Sequence, residues 1–217
     1  MNPPPAQHAP DPAAQPAQTV RAGVVQHPTP LDKQRAGLGG GFVGAVRARL
    51  WAALGRPLFR LLPPGMHRTR SALLRAFGAR IGRRVSLEPT VRVEDPWRLT
   101  IGDDTEIAHE VILYCLADVV IGSGCRISQY AHLCAGTHDY TDPTMPLLTR
   151  PVRLEDEVWI AADVFVGPGV AIGTGSVVGA RSSVFSDLGP WGIHAGNPTR
   201  RVRDRDAAEH APREDAP

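Results

Sequence analysis

The pattern of apolar positions changes character twice along this 217-residue chain. Over residues 1–40 there is no pattern: eight prolines stand among Ala, Gln and Gly. Such a stretch buries too little apolar surface to offset the entropy of ordering, so a disordered tail is expected over 1–40. Over 42–62, Val43, Val46, Leu50, Trp51, Leu54, Leu58, Phe59 and Leu62 recur at spacings of one to four, with arginines between them. That predicts an amphipathic helix, bent or ended near Pro57. A second short helix is predicted over 69–77, between the Pro63-Pro64-Gly65 break and Gly78, and the two make a helical cap over 41–80.

From Ile81 the period becomes six. Ile81, Leu87 and Val93 form one set; Ile101, Ile107 and Leu113 a second; Ile121, Ile127 and Leu133 a third. After a gap come Leu154, Ile160 and Val166, then Ile172, Val178 and Val184. A half-buried strand alternates with period two and a helix repeats every 3.6 residues, so neither sustains a six. A parallel β-helix does, each set of three closing one triangular coil of about eighteen residues. The expected fold is therefore all-β: a parallel β-helix of about five coils over 81–200, preceded by an α-helical segment. Glycines after the aliphatic residue, as in Ile81-Gly82 and Ile101-Gly102, fit turns where a Cβ would be strained or crowded. The helices cap one end of the stack and 187–200 covers the other, with a charged, frayed tail over 201–217.

The repeat breaks once. Twenty-one residues separate Leu133 from Leu154 where eight are expected, leaving a loop over 134–153 that contains His138-Asp139-Tyr140-Thr141-Asp142-Pro143. An insertion in a repeat array projects from one face and is a common seat of function.

Here the chain resembles the hexapeptide-repeat acyltransferases, and among them the sugar O-acetyltransferases associated with colanic acid and related exopolysaccharide synthesis. The residues that carry the resemblance are 96–103, Ile127-Ser128-Gln129, Gly136-Thr137-His138-Asp139-Tyr140, Trp159-Ile160-Ala161-Ala162-Asp163 and Gly196-Asn197-Pro198. It implies a left-handed coil, a homotrimer with active sites in the clefts between subunits, and acetyl-CoA as co-substrate. It also implies His138 as the catalytic histidine, and a coenzyme path past Ala162, Ala180, Arg200 and Arg203, the arginines suiting the phosphates. Asp139 and Tyr140 are candidates either to shape the loop or to meet the acceptor, a free or lipid-linked saccharide. Two positions depart from the family pattern: Ala108 stands where an acceptor-binding Asn is common, and no Lys follows Phe185.

The chemistry is coherent with that assignment. A hydroxyl is a poor nucleophile at neutral pH, and a neutral imidazole, with an ordinary pKa of about 6.5, is suited to taking its proton as it attacks a thioester. The thiolate leaves without help, so no metal is required. Asp139 or Asp142 is a candidate to orient the ring. Two other readings compete. A γ-class carbonic anhydrase shares the coil but needs three histidines converging on zinc at a subunit boundary, and His109, His132 and His138, spaced by 23 and 6, offer the number without that family's pattern. A non-catalytic trimeric scaffold is the third, against which the intact His138 loop argues.

Composition narrows the setting. Aromatics are only 6% while Gly and Pro total 43 residues, which suits small side chains stacked in thin layers. Cys115, Cys125 and Cys134 form neither an even disulfide framework nor a C-x-x-C motif, and read as reduced thiols of a cytoplasmic protein. The first residues show no basic stretch followed by an apolar one, and no run of about 18 apolar residues occurs, so neither export nor membrane spanning is expected. Net charge is +2, yet 43–84 holds ten arginines and no Asp, Glu or Lys. This segment is a solvated helix face or a peripheral contact with anionic lipid at the inner face of the membrane. Nucleic acid ranks last, for want of a fold motif and stacking aromatics.

Overall fold

The computed structural model describes residues 41–205, so the tail expected over 1–40 and most of that expected over 201–217 lie outside it. All fifteen aliphatic residues of the six-step ladder are buried, and they form three columns. On the first face Arg80–Ile81, Leu99–Ile101, Val119–Ile121, Val152–Leu154 and Ala171–Ile172 pair in parallel, in that order. On the second, the order is Ser86–Leu87, Glu106–Ile107, Arg126–Ile127, Trp159–Ile160, Val177–Val178 and Gly192–Ala195. On the third, Arg92–Val93, Ile112–Tyr114, His132–Cys134, Phe165–Val166 and Ser183–Val184 follow one another. Each inward residue sits directly on its counterpart, Ile101 on Ile121 for example, so the core is a stack of nearest-neighbour contacts.

A sixth, partial coil closes the stack. Leu188 bridges to Ile172, and His194 lies in register with Val178 with its side chain buried. The period hides it because the step from Val184 to Leu188 is four, and a histidine holds the next inward place. The frayed tail expected from Arg201 onward is corrected over 201–204: Arg200–Asp204 is a strand running antiparallel to Gly192–Ala195. Edge strands present unpaired backbone groups, and this return strand occupies that edge.

The first coil has the opposite problem. Along the stack the carbonyl of each inward residue accepts from the coil before it, as in Gly82 N to Ile101 O (2.8 Å) and Glu88 N to Ile107 O (3.2 Å). Ile81, Leu87 and Val93 have no preceding coil. Their three carbonyls are met by the helical cap: Arg75 donates to Ile81 O (2.9 and 2.8 Å), Arg70 to Leu87 O (3.0 Å) and the Trp51 indole to Val93 O (3.0 Å). Arg70 is fully buried and also donates to Leu62 O and Pro63 O. Its loss would strand several buried acceptors at once. Arg70→Leu is expected to cost about 3 kcal/mol, read as a fall in thermal midpoint of roughly 6–12 °C, with the circular dichroism spectrum unchanged at temperatures where the variant is folded.

The cap itself differs from the expected helix in one respect. Gly41–Leu50 and Arg56–Leu61 are α-helical, and between them Trp51–Gly55 forms a π-helical turn in which Arg56 N–H reaches Trp51 O. Pro57 explains the wider turn: it has no N–H for the carbonyl four residues back, and its ring crowds that carbonyl. The helix therefore continues past Pro57 instead of ending there. The third helix runs His67–Ala76.

The turn glycines answer the sequence reading with crowding, not with backbone angle. A Cβ on Gly82, Gly102, Gly122 or Gly173 would lie 2.5–2.6 Å from atoms of the next coil. The left-handed residues stand two places on, at Arg84, Asp104, Gly124, Glu157 and Gly175. The three cysteines are buried and unpaired, and burial pushes the Cys125 thiol up to about 11, so these thiols stay protonated and inert.

Candidate functional site

The inserted loop is a β-hairpin. Gly136–His138 pairs antiparallel with Leu147–Thr149, placing His138 opposite Leu147. Its tip is built by two consecutive Asx turns: Asp139 Oδ1 accepts from Thr141 N (3.0 Å) and Oγ1 (2.6 Å), and Asp142 Oδ1 accepts from Thr144 N and Oγ1 (both 2.8 Å). These bonds from Thr141 hold the Asp139 carboxyl below the usual carboxylate range. Neither aspartate touches the imidazole. What orients it is a backbone group: His138 Nδ1 lies 2.7 Å from Met145 O. A carbonyl only accepts, so the proton of the neutral ring resides on Nδ1 and the lone pair on Nε2. The expectation that Asp139 or Asp142 orients His138 is corrected accordingly. Both carboxylates are spent on the turn, and Met145, held at φ 45°, supplies the acceptor.

Tyr140, at the hairpin tip, is 85% exposed and free to meet a ligand. His109 stacks edge-on with Tyr130 (5.5 Å), and His132 lies between Tyr114 (6.1 Å) and Phe165 (5.4 Å). Burial lowers the His132 pKa. These two rings pack against aromatics and do not join His138. Among the described residues no group of three His, Cys, Asp or Glu side chains is placed to hold a metal ion.

A groove of about 500 Å3 runs along the second face and the corner that follows it, lined by Ser86, Glu88, Glu106, Arg126, Gln129 and Trp159 among others. The Trp159 indole donates to Ser128 Oγ (3.1 Å), which fixes a half-exposed ring as one wall. Ser86, Glu88, Glu106 and Arg126 carry no sign of this in the sequence, while Ser128, Gln129 and Trp159 stand there only within the blocks that carry the family resemblance. They are the outward neighbours of the inward aliphatics, and no periodicity constrains outward positions.

Ala162 and Ala180 continue the same corner. Asp163 N donates to Gln129 O (3.0 Å) and Arg181 N to Ala162 O (2.9 Å), so Gln129, Ala162 and Ala180 stand in file on successive coils. Arg200 and Arg203 follow on the return strand, opposite Ala195 and Ile193, and both are exposed. The structure thus aligns all four residues assigned to the coenzyme along one side of the prism. It does not bring His138 to them. The hairpin leaves from the corner between the third and first faces, and no residue of 134–153 lines the groove.

No protein-family model matches the chain. Among solved structures, a hexapeptide-repeat acetyltransferase of Vibrio cholerae O1 biovar eltor, complexed with acetyl-CoA, superimposes with a TM-score of 0.70 at 27% identity, over 77% of this chain and 92% of that one. A galactoside acetyltransferase in complex with coenzyme A gives 0.69 at 24% identity, over 76% and 84%. In sequence, WcaF of Escherichia coli (strain K12), an acetyltransferase named provisionally for colanic acid biosynthesis, is 41% identical over 167 residues, 76% of this chain and 92% of its own length. The chain belongs to the hexapeptide-repeat acetyltransferases, in the colanic acid group. The coil of this acetyltransferase is accordingly the left-handed β-helix expected from its sequence. Its aligned span exceeds the coil alone, since 167 residues outnumber the 120 of 81–200.

Proposed function

We propose that the protein transfers acetyl from acetyl-CoA to a sugar hydroxyl in polysaccharide biosynthesis, with His138 as general base. The observation that carries this is the Nδ1–Met145 O hydrogen bond, which leaves Nε2 as the open, basic nitrogen on an exposed hairpin. Nε2 takes the proton of the acceptor hydroxyl as its oxygen bonds to the thioester carbonyl carbon. The tetrahedral oxyanion then collapses, the C–S bond breaks, and the imidazolium returns the proton to the departing thiolate. The products are an O-acetyl ester and free CoA. Acetyl-CoA bound to the Vibrio cholerae relative, and the biosynthetic role in the name of WcaF, support the donor and the pathway class.

The division of the site supports a homotrimer. One chain holds the base at one corner and the groove with its coenzyme file at another, so a neighbour's hairpin set against this groove completes the constellation. In that arrangement the groove takes the acceptor, Trp159 offers a flat face to a sugar ring, and Glu88 and Glu106 accept from its hydroxyls. Tyr140 reaches the same acceptor from the hairpin tip, while Asp139 shapes the turn. Ala108 leaves room where relatives place a larger polar side chain.

The test is release of free thiol from acetyl-CoA in the presence of a panel of oligosaccharide acceptors. Acceptor-dependent release supports the reading; release with none of them, at any protein concentration, sinks it. In the same assay Arg200→Ala with Arg203→Ala is expected to raise KM for acetyl-CoA by roughly tenfold or more, as two charge-assisted phosphate contacts are lost, and to leave kcat within about twofold. An unchanged KM would remove the pair from the coenzyme path.

A further inference from the structure

The arginines of the cap divide into two groups. Of the ten between residues 43 and 84, six have defined partners. Arg47 bonds Phe77 O and lies over Trp97, Arg56 pairs with Glu94, Arg70 and Arg75 hold first-coil carbonyls, and Arg83 and Arg84 pair with Asp103 and Asp104. The other four, Arg49, Arg60, Arg68 and Arg80, are exposed and have no acidic or carbonyl partner among the described residues. Structural need accounts for the first group only.

On the helix that carries Arg49 and Arg60 lies an apolar stripe that stays exposed among the described residues. Val43, Val46, Leu50, Leu54, Leu58 and Leu61 succeed one another at steps of three and four, so they share one face of the continuous 41–61 helix. They are 37–79% exposed, and Phe42 at the start of the helix is 85% exposed. The face that docks on the coil is a different one, carried by Trp51, Gly55 and Phe59. A stripe of this length is more than scattered surface leucines explain. Arg49 and Arg60 stand next in sequence to Leu50 and Leu61, and the segment holds no carboxylate to oppose them.

We propose that this stripe lies flat on a lipid bilayer whose headgroups are anionic, with the six apolar side chains in the acyl boundary and Arg49 and Arg60, on the same helix, on the phosphates. Charge complementarity selects the occupant. The segment 43–84 carries ten arginines and no carboxylate, so the same segment of a second copy would bring only like charge to the stripe, whereas an anionic surface neutralises Arg49 and Arg60. No helix among the described residues is long and apolar enough to cross a membrane, so the contact is interfacial and reversible, driven by apolar burial plus attraction to the headgroups. This is independent of the acetyl-transfer chemistry, and it would hold the enzyme at a surface where lipid-linked saccharides are presented.

The experiment is sedimentation of the full-length protein with vesicles of phosphatidylcholine alone, or with about one-third phosphatidylglycerol. The protein is expected to pellet with the anionic vesicles and stay in solution with the neutral ones. Each of Arg49→Gln and Arg60→Gln should weaken binding roughly fivefold. Leu50→Glu with Leu54→Glu should weaken it more than tenfold, with circular dichroism and thermal midpoint unchanged because both sites are exposed. Absence of binding to anionic vesicles, or equal binding by the leucine variant, overturns the proposal. So does a drop in the light-scattering mass of that variant, which would make the stripe a contact between copies.

Discussion

His138→Ala is expected to lower kcat by about 10²–10⁴, the usual contribution of a positioned general base, with KM for acetyl-CoA little changed. The size follows from what remains. The hairpin is held by its own strand pairing and by the Asp139 and Asp142 turns, so the substitution removes the proposed proton acceptor without removing the loop. The proposed coenzyme file along Ala162, Ala180 and the return strand lies at another corner and is untouched. A hydroxyl that must shed its proton to water attacks a thioester slowly, and that residual rate is what the variant should show. A variant turning over at the parental rate, by thiol release under saturating acetyl-CoA, would take His138 out of the reaction. His138→Gln sharpens the point, because its amide keeps a donor for Met145 O and provides no base; it should be as inactive as alanine.

Ile127→Asp is expected to prevent folding. Ile127 is buried between Ile107 below and Ile160 above, in the middle of the second-face column, where aliphatic neighbours offer a carboxylate no partner. Such a substitution belongs to the class that costs more than about 4 kcal/mol, against a total stability of roughly 5–15 kcal/mol. The effect should not stay local. Each coil is stable only against its neighbours, so a defect in the third coil separates two half-stacks, neither of which buries its end. Ile127→Val, which removes one methylene, should cost only about 1 kcal/mol and serves as the control. Soluble Ile127→Asp protein with a cooperative melt at the parental temperature would contradict the ladder.

The contrast between these two residues also shows what the sequence makes legible. The ladder was readable because a parallel stack sets like on like: every inward position repeats the same demand, and fifteen aliphatics at a fixed step leave no second solution. The insertion was readable for the same reason, as the place where the step fails. His138 was then singled out by residue type and by family resemblance. Its orientation was not, because a carbonyl is present at every residue and Met145 carries no sign in its side chain that its oxygen faces the ring. The groove escaped notice since Ser86, Glu88, Glu106 and Arg126 occupy outward positions, where neighbours on the next coil impose little. The sixth coil escaped because His194 breaks the aliphatic rule in the last inward place, where no full coil follows. Neither strand pairing nor period foretold that six arginines serve the fold while four do not; that division exists only once the first-coil carbonyls are located.

The glycine file of the turns has a geometric consequence for the whole molecule. With no Cβ at Gly82 and Gly102 to hold the backbone beyond them away, the coils stack in close contact, and the hydrogen bonds between them, such as Gly82 N to Ile101 O, set the advance of each rung at the strand spacing of about 4.8 Å. The molecule is therefore a graduated scale. From the Trp159 strand to the return strand bearing Arg203 there are three rungs, through Val177–Val178 and Gly192–Ala195, or about 14 Å. Excising one complete turn would leave a shorter but intact prism, and would bring its two landmarks closer by one graduation, out of step with any extended molecule that must touch both.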